Sequence, residues 1–513
     1  MTEAAIVRGA PSRPLDVHRW SDYPELSSCL AQLVSEIEAQ ENRRRARSAN
    51  AARKLRDAVR AIVLDLYVAH TSSPEYEIGV SLAKDSFSNK SRYHALFFTY
   101  DGFTSAYRGL RDLGYLAVVR EGFNDPGTGV GRNTRIRATD ELIRRLTTVA
   151  KLTTASISHG RQDYAAETII LRDGEKKRRD YQDNSVVATM RADVARINEG
   201  LDRHWLDLYL TDDQLRDMNV TMRRKWDHAN DPDSRDHEAG AVDFSAKCLR
   251  RIFNNDSWDQ GGRFYGGWWQ TVPRDYRRFI TINGKHTIEL DYSGMHPTLL
   301  YARAGVEPIG DAYDVGMPSV PREIIKAVFN KLLNAKSRTM PTSAFDERAY
   351  GLTWRDLEEA VKARHQPIRE FFNTGYGVRL QTIDANIANQ VMLRFLDRGY
   401  PCLPVHDSFI VHHAMANELR EVMASEFMNE VGRAVGMKMK TDFISMYIPP
   451  NGDVVFDDTA FLQQLDGTGE YTLYHTRENA WNNRRHSLEV PFGPSKTLLA
   501  GRKRKIRRIR DLS

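Results

Sequence analysis

The alternation of apolar and polar positions divides the chain into stretches of different period. From Leu26 to Leu66 apolar residues recur at three- and four-residue steps (Leu30, Leu33, Val34, Ile37, then Leu55, Val59, Ile62, Val63), which predicts helices separated by a polar, Arg-rich break. Phe103 to Leu116 predicts a short amphipathic helix stopped by Gly114, and Leu116 to Val119 an apolar strand. A Gly/Pro/Asn loop over 124–131 precedes a basic strand, Arg132 to Arg137. Glu167 to Leu171 predicts a strand, and Val186 to Leu210 carries helical spacing through Met190, Val194, Ile197 and Leu201. In Thr287 to Tyr301, alternating Ile288 and Leu290 predict a buried strand ending at Asp291. Gly294 and Pro297 mark the turn, and a helix starts at Thr298. The apolar runs Cys402 to Val405 and Phe409 to Val411 flank His406-Asp407-Ser408 and predict a hairpin with Asp407 at its tip.

A chain of 513 residues is too long for one compact core and predicts two or three domains. The net charge of +6 is mild, but basic runs cluster at 43–47, 176–179 and 502–508, which suits a polyanionic partner. A solvated surface or a loose tail would carry such runs too. Cys29, Cys248 and Cys402 show no CxxC spacing, which excludes a disulfide framework and a structural zinc site. No apolar run has membrane-span length and Met1 to Leu15 lacks a signal-peptide core, so the expected compartment is intracellular and reducing, with no membrane partner. Asp227 to Glu238, with Pro232 and many acids, reads as an exposed linker rather than a metal site.

The helix, strand, loop and basic strand of 103–137 resemble a winged helix-turn-helix. That resemblance implies DNA contact through Arg108, Arg111, Arg132, Arg135 and Arg137, although such modules also serve protein interaction. The Gly-rich loop is not a phosphate-binding P-loop, because no Gly-Lys-Ser/Thr follows it.

An Asp at a strand end is commonly a cap or turn residue. Two strand-borne carboxylates able to meet on one sheet, Asp291 and Asp407, are also what two-metal phosphoryl transfer requires. Arg322, Lys326, Asn330 and Asn334 recur every fourth residue and share one helix face, where two cations can hold nucleotide phosphates. From Gly261 the motifs arrive in an order that resembles family A DNA polymerases. These are Gly262-Arg263-Phe264, Gln270-Thr271-Val272-Pro273, Asp291-Tyr292-Ser293, Arg322 to Lys326, Leu380 to Ile387 with Gln381, and His406-Asp407. The resemblance covers about residues 245–450. It implies two Mg²⁺ ions (Mn²⁺ as a substitute) on Asp291, Asp407 and the Tyr292 backbone carbonyl. It also implies Lys326 assisting the pyrophosphate leaving group, with Arg263, Gln270, Gln381 and His406 on the primer–template.

Departures from that pattern are specific. Asn334-Ala335 stand where the family carries Tyr-Gly, and Asn330 stands at the stacking aromatic, with Phe329 adjacent. His296 replaces a sugar-gating Glu. A His296–Asn334 hydrogen bond would rebuild that gate, or the same groups would accept a ribose 2′-hydroxyl, so sugar choice stays open. His406-Asp407-Ser408-Phe409 is closer to single-subunit phage-type RNA polymerases. The fingers look abbreviated, and no exonuclease signature precedes them.

The resulting expectation is an α+β protein. A right-hand polymerase palm with an antiparallel sheet and reduced helical fingers follows a helical, winged-helix-like amino-terminal region. The expected division is 1–60 basic helical arm, 61–150 winged-helix-like domain, 151–245 thumb-like connecting region, 246–450 palm and fingers, and 451–513 carboxyl-terminal extension. The expected activity is template-directed nucleotide addition to a nucleic-acid 3′ end, without proofreading, in a plasmid, phage or other mobile element. Its partners would be DNA and nucleoside triphosphates. Alternatives are an RNA polymerase or primase, a template-independent terminal transferase, and a non-catalytic replication initiator.

Overall fold

The computed structural model describes residues 12–487 apart from 89–90, 125–126, 128–130, 161, 229–240, 308–309, 338, 343–344, 433–438 and 443–468. The basic run at 502–508, most of the expected 227–238 linker and part of the 124–131 loop lie outside the described residues.

Two apolar cores organise the mixed α+β chain. The first gathers residues from Tyr23 to Ile157. Its helices are α1 (Pro24–Glu41), α2 (Ala49–Ser72) and α3 (Tyr100–Asp112), and its sheet contains β1 (Ser12–Pro14), β2 (Glu77–Val80), β3 (Leu116–Arg120) and β4 (Thr134–Ala138) in the order β1-β2-β4-β3. Ser48 caps α2 and Thr99 caps α3, each accepting a hydrogen bond from a first-turn N–H. The boundary expected at residue 60 is corrected: it falls inside α2, where Val59, Ala61, Ile62 and Val63 are all fully buried. A break there would expose the apolar stripe on which α3 packs.

The second core runs from Ile169 to Phe427. Its elements in chain order are β5 (Ile169–Leu171), α4 (Ser185–Asp202), β6 (Leu206–Leu208), α5 (Asp212–His228), β7 (Arg250–Phe253), β8 (Gly261–Tyr265), β9 (Ile280–Ile282), β10 (Lys285–Tyr292), α6 (Met295–Arg303), α7 (Arg322–Asn334), α8 (Trp354–Arg364), α9 (Gly377–Asp397), β11 (Leu403–Val405), β12 (Ser408–His412), α10 (Ala416–Val431) and β13 (Met439–Asp442). The central sheet has the order β6-β9-β10-β12-β11, with β13 also on β10; a smaller sheet runs β8-β7-β5. Residues 151–245 are therefore not a separate connecting region. β6 is a strand of the central sheet, and Val194, Ile197 and Leu201 of α4 share the core of Leu290 and Phe409. The helix has one apolar face, and burying it is worth about 1.5–3 kcal/mol per large side chain.

α11 (Thr472–Ser487) packs on β6 from the carboxyl-terminal side. Tyr474 meets the Trp205 ring at 5.0 Å, and Arg477 forms a buried bidentate pair with Asp207, both contacts at 2.8 Å. The helix covers an edge strand that would otherwise offer unpaired backbone groups. The two cores are tied together by Asp65, which accepts Arg13 and Arg19, while Arg19 also reaches Asp243 at 2.7 Å and Ser245. No helix among the described residues is long and apolar enough to cross a membrane.

Candidate active site

β10 alternates strictly. Ile288, Leu290 and Tyr292 are buried, and the Tyr292 hydroxyl donates to the Met423 carbonyl of α10 at 2.7 Å. By the period of two, Glu289 and Asp291 face the opposite side. The register pairs Asp291 with Ser408, directly after Asp407, and the Tyr292 N–H donates to the Asp407 carbonyl at 3.4 Å. Antiparallel pairing thus brings two acidic residues far apart in sequence, Asp291 and Asp407, to adjoining backbone positions. Asp291 is half-buried with Oδ1 shielded from solvent.

The hairpin between β11 and β12 pairs Val405 with Ser408, leaving His406 and Asp407 as a two-residue loop. His406 sits at φ +58°, a left-handed conformation that costs a non-glycine residue about 1–3 kcal/mol. Behind this tip, Glu289 accepts the Ser408 hydroxyl at 2.6 Å and Arg277 at 2.5 Å. That lock fixes the register of the two acid-bearing strands. Sequence reading missed Glu289, although its two-residue offset from Asp291 announces the shared face.

A second cluster stands beside the tip. Arg263 of β8 reaches Asp384 of α9 through Nε, at 3.1 Å from each oxygen, and through Nη2. His296, at the start of α6, contacts Asp384 at 3.1 Å and Arg263 at 3.3 Å through Nε2. Burial works to lower the Arg263 pKa, but Asp384 and Asp407 outweigh it and hold it above the ordinary value. The His296–Asn334 hydrogen bond expected from sequence is not formed. Asn334 donates to the Asn330 carbonyl of its own helix at 2.8 Å and lies against Gly377, while His296 is committed to Asp384. Asp384 was also missed; it lies one turn beyond Gln381 on the same helix. Gln381 is half-buried, with no side-chain hydrogen bond among the described residues.

His406 is exposed, 6.2 Å from the Tyr265 ring between centroids. Surrounding protein first, then Arg263, holds its pKa below the ordinary value. Gln270 is bound to the protein itself: Nε2 donates to the Phe264 and Pro404 carbonyls at 2.9 and 3.1 Å, and Oε1 accepts the Gly267 N–H at 3.2 Å. It pins β8 to the acid-bearing hairpin.

On α7, Arg322, Lys326 and Asn334 are exposed and Asn330 is half-buried. Arg322 pairs with Asp311 at 2.6 and 3.0 Å and lies over Tyr313 at 4.6 Å. Lys326 makes no ion pair with the described residues. Phe329, a neighbour of Asn330, is fully buried against Phe372 and His365, so it is a core residue and no stacking platform. Burial pushes the Tyr313 pKa up to about 12, with Arg322 opposing and Asp311 and Asp407 adding to the rise. Tyr313 thus feels charges from both the α7 side and the acidic tip.

In the amino-terminal body, Arg108 and Arg111 are exposed on α3, and Arg111 pairs with Asp112 at 2.8 Å. Buried Glu77 collects Arg120 at 2.8 Å and Arg137 at 3.2 Å. Arg135 covers Gly79, and burial lowers its pKa. Arg132 donates to the Glu121 carbonyl at 3.1 Å and lies 5.1 Å from the Phe123 ring centre.

No family model matches the chain. No curated protein matches it. The solved structures it is similar to include the POL domain of Pol1 from M. smegmatis in complex with DNA primer-template and dNTP, at 11% identity and a TM-score of 0.28. That match covers 83% of this chain and 66% of that chain, so the chain spans just under two thirds of its length.

Proposed function

We propose that the chain is a template-directed nucleotidyltransferase, a DNA polymerase-like enzyme whose palm is the central sheet and whose reduced fingers begin at α7. The observation that carries this is the β10–β12 register, which pairs Asp291 with Ser408, the neighbour of Asp407, at one end of these two strands.

The donor set fits Mg²⁺: two carboxylates and a backbone carbonyl are hard oxygen ligands. Among the described residues no group of three or more acidic, His or Cys side chains gathers as a metal cage. Mg²⁺ commonly keeps several waters and takes further oxygens from substrate phosphates. Asp291, Asp407 and the Tyr292 carbonyl would hold the ions, which when bound lower the pKa of an attacking hydroxyl and neutralise the leaving group.

The chain's own residues do the rest. Lys326 neutralises the departing pyrophosphate from an exposed face of α7, and Arg322 exchanges Asp311 for a phosphate oxygen. Arg263, held by Asp384, and Gln381 orient the primer–template. Glu289, Ser408 and Gln270 hold the hairpin rigid. The winged-helix reading of the amino-terminal body draws support from the β2-β4-β3 strand order with α3 entering just before β3, and from the arginines of β4. DNA is the partner this implies, with nucleoside triphosphates as substrates.

The test is extension of a labelled primer–template with dNTPs and with NTPs, plus Mg²⁺ or Mn²⁺, and the same with no primer. Incorporation that disappears in Asp291→Ala is expected. Absence of incorporation by wild type under every condition refutes the proposal. Unprimed NTP incorporation selects a primase or RNA polymerase, a reading favoured by His406-Asp407-Ser408-Phe409.

A further inference from the structure

Between the two bodies lies a cavity of about 670 Å³ that shares none of the residues proposed for catalysis. Phe87, Tyr93 and His94 line it from the amino-terminal body, and Arg178 and Arg250 from the other. Its size falls within the range of small-molecule sites, and its walls combine aromatic rings with cations.

The charges of the lining are unequally matched. Asp16 has Arg19 at 3.7 Å and His159 at 3.6 Å, Asp243 has Arg19 at 2.7 Å, and Glu167 has Arg191 at 3.0 Å. The carboxylates are therefore each engaged. Arg250, on β7, makes no ion pair or side-chain hydrogen bond with the described residues, and its Nε is shielded from solvent without an acceptor. A shielded guanidinium donor without an acceptor is left unsatisfied, and an anion entering the cavity would satisfy it. Tyr93 is fixed in place: its hydroxyl donates to the Arg179 carbonyl and accepts the Leu171 N–H, both at 3.0 Å, and its ring faces Arg178 at 5.7 Å.

We propose that this cavity binds a nucleoside 5′-phosphate unit, with the phosphate on Arg250 and the base against the Phe87, Tyr93 and His94 wall. The unit is supplied either as a free nucleotide or as the 5′ end of a single strand; the chemistry recognised is the same. Because the walls come from both bodies, occupancy ties them together beyond the Arg19 contacts.

The test uses the full chain in EDTA, so that metal-dependent binding at the palm does not contribute. One arm titrates deoxyadenosine 5′-monophosphate by calorimetry; the other follows fluorescence anisotropy of a 3′-labelled single-stranded oligonucleotide with a 5′-phosphate or a 5′-hydroxyl. Arg250→Ala should weaken binding on the order of tenfold to hundredfold, the loss of a charge-assisted contact, and Arg250→Lys should restore part of it. Asn133→Asp, an exposed lining position, sets a negative charge at the cavity without disturbing the core and should weaken binding in the same direction. Binding of the monophosphate identifies a free-nucleotide site. A preference confined to the phosphorylated oligonucleotide identifies a strand-end site. Equal binding by wild type and both charge variants, or no binding in either arm, overturns the proposal. Since this readout needs neither metal nor extension, it stands or falls separately from the polymerase reading.

Discussion

The acids of the central sheet and the cations of α7 are two pairs of like charges that the fold treats in opposite ways. Asp291 and Asp407 are carried on adjacent strands and locked by the backbone ladder and by Glu289, Ser408 and Arg277. Neither can move away from the other without breaking the sheet. The ladder therefore keeps the two acidic positions together at the hairpin end of these strands. Arg322 and Lys326 repel each other one turn apart on an exposed helix face, at a cost of only about 0.2–0.5 kcal/mol. Arg322 finds relief on Asp311, on a loop, and both side chains remain nearly half exposed. The sheet thus fixes its acids on the backbone ladder, whereas the helix carries its cations on exposed side chains. Rigidity at the acids and exchangeability at the cations are what the proposed nucleotide transfer would need.

The strongest way to break this comparison is at the sheet. If the proposed metal ligation holds, Asp291→Ala and Asp407→Ala should each reduce nucleotide incorporation on the order of 10³-fold or more. Each should leave the melting temperature near the wild-type value, since neither substitution interrupts the backbone ladder of the sheet. A variant that keeps a tenth of wild-type incorporation would remove the sheet tip from the chemistry.

Next in size is the neighbouring buried cluster. Asp384→Ala leaves Arg263 largely buried without its carboxylate and should cost about 3–5 kcal/mol in denaturant unfolding. Asp384→Asn should cost less, because the amide oxygen still accepts from Arg263. Equal stability of both variants with wild type would show that Arg263 is not structurally bound to α9.

The helix is supported by a titratable group, and pH separates the two regions. Burial pushes the His365 pKa down to about 4, Nε2 donates to the Ala312 carbonyl at 2.7 Å, and Nδ1 accepts the Tyr301 hydroxyl at 3.0 Å. The folded protein holds this imidazole neutral, while the unfolded chain protonates it near pH 6.5. Its contribution, about 3 kcal/mol, is therefore full above pH 6.5 and lost as pH falls towards 4. Because His365 packs on Phe329 of α7, hydrogen exchange in α7 should rise in that window before exchange in β10 does. His365→Gln should flatten the dependence. Simultaneous opening of both elements would mean that the helix and sheet are one cooperative unit.

The smallest effect probes the exchangeable pair. Exposed ion pairs contribute about 0–1 kcal/mol, so Asp311→Asn should free Arg322 and lower the KM for nucleotide about threefold at most, with kcat unchanged. A raised KM would show that Asp311 orients Arg322 for the substrate rather than sequestering it.

Periodicity and local chemistry were enough to read the strand ending at Asp291, the hairpin carrying Asp407, the helix face of Arg322 and Lys326, and α1 to α3. Each depends on residues within a few positions of one another, where side-chain period and turn residues decide. The domain boundaries were not legible, because an apolar helix face shows that it needs a partner but not which one. α2 was divided at residue 60 although its stripe belongs to one core, and α4 and β6 joined the central sheet from a region read as a connector. Partners of polar side chains were likewise decided only by tertiary structure. His296 turned to Asp384 rather than Asn334, Gln270 went to the backbone carbonyls of Phe264 and Pro404, and Arg250 was left facing a cavity between the two bodies. A hydrogen bond or ion pair is a statement about distance in space. The sequence by itself determines which groups must be satisfied, and only the packing of elements remote in the chain decides by whom.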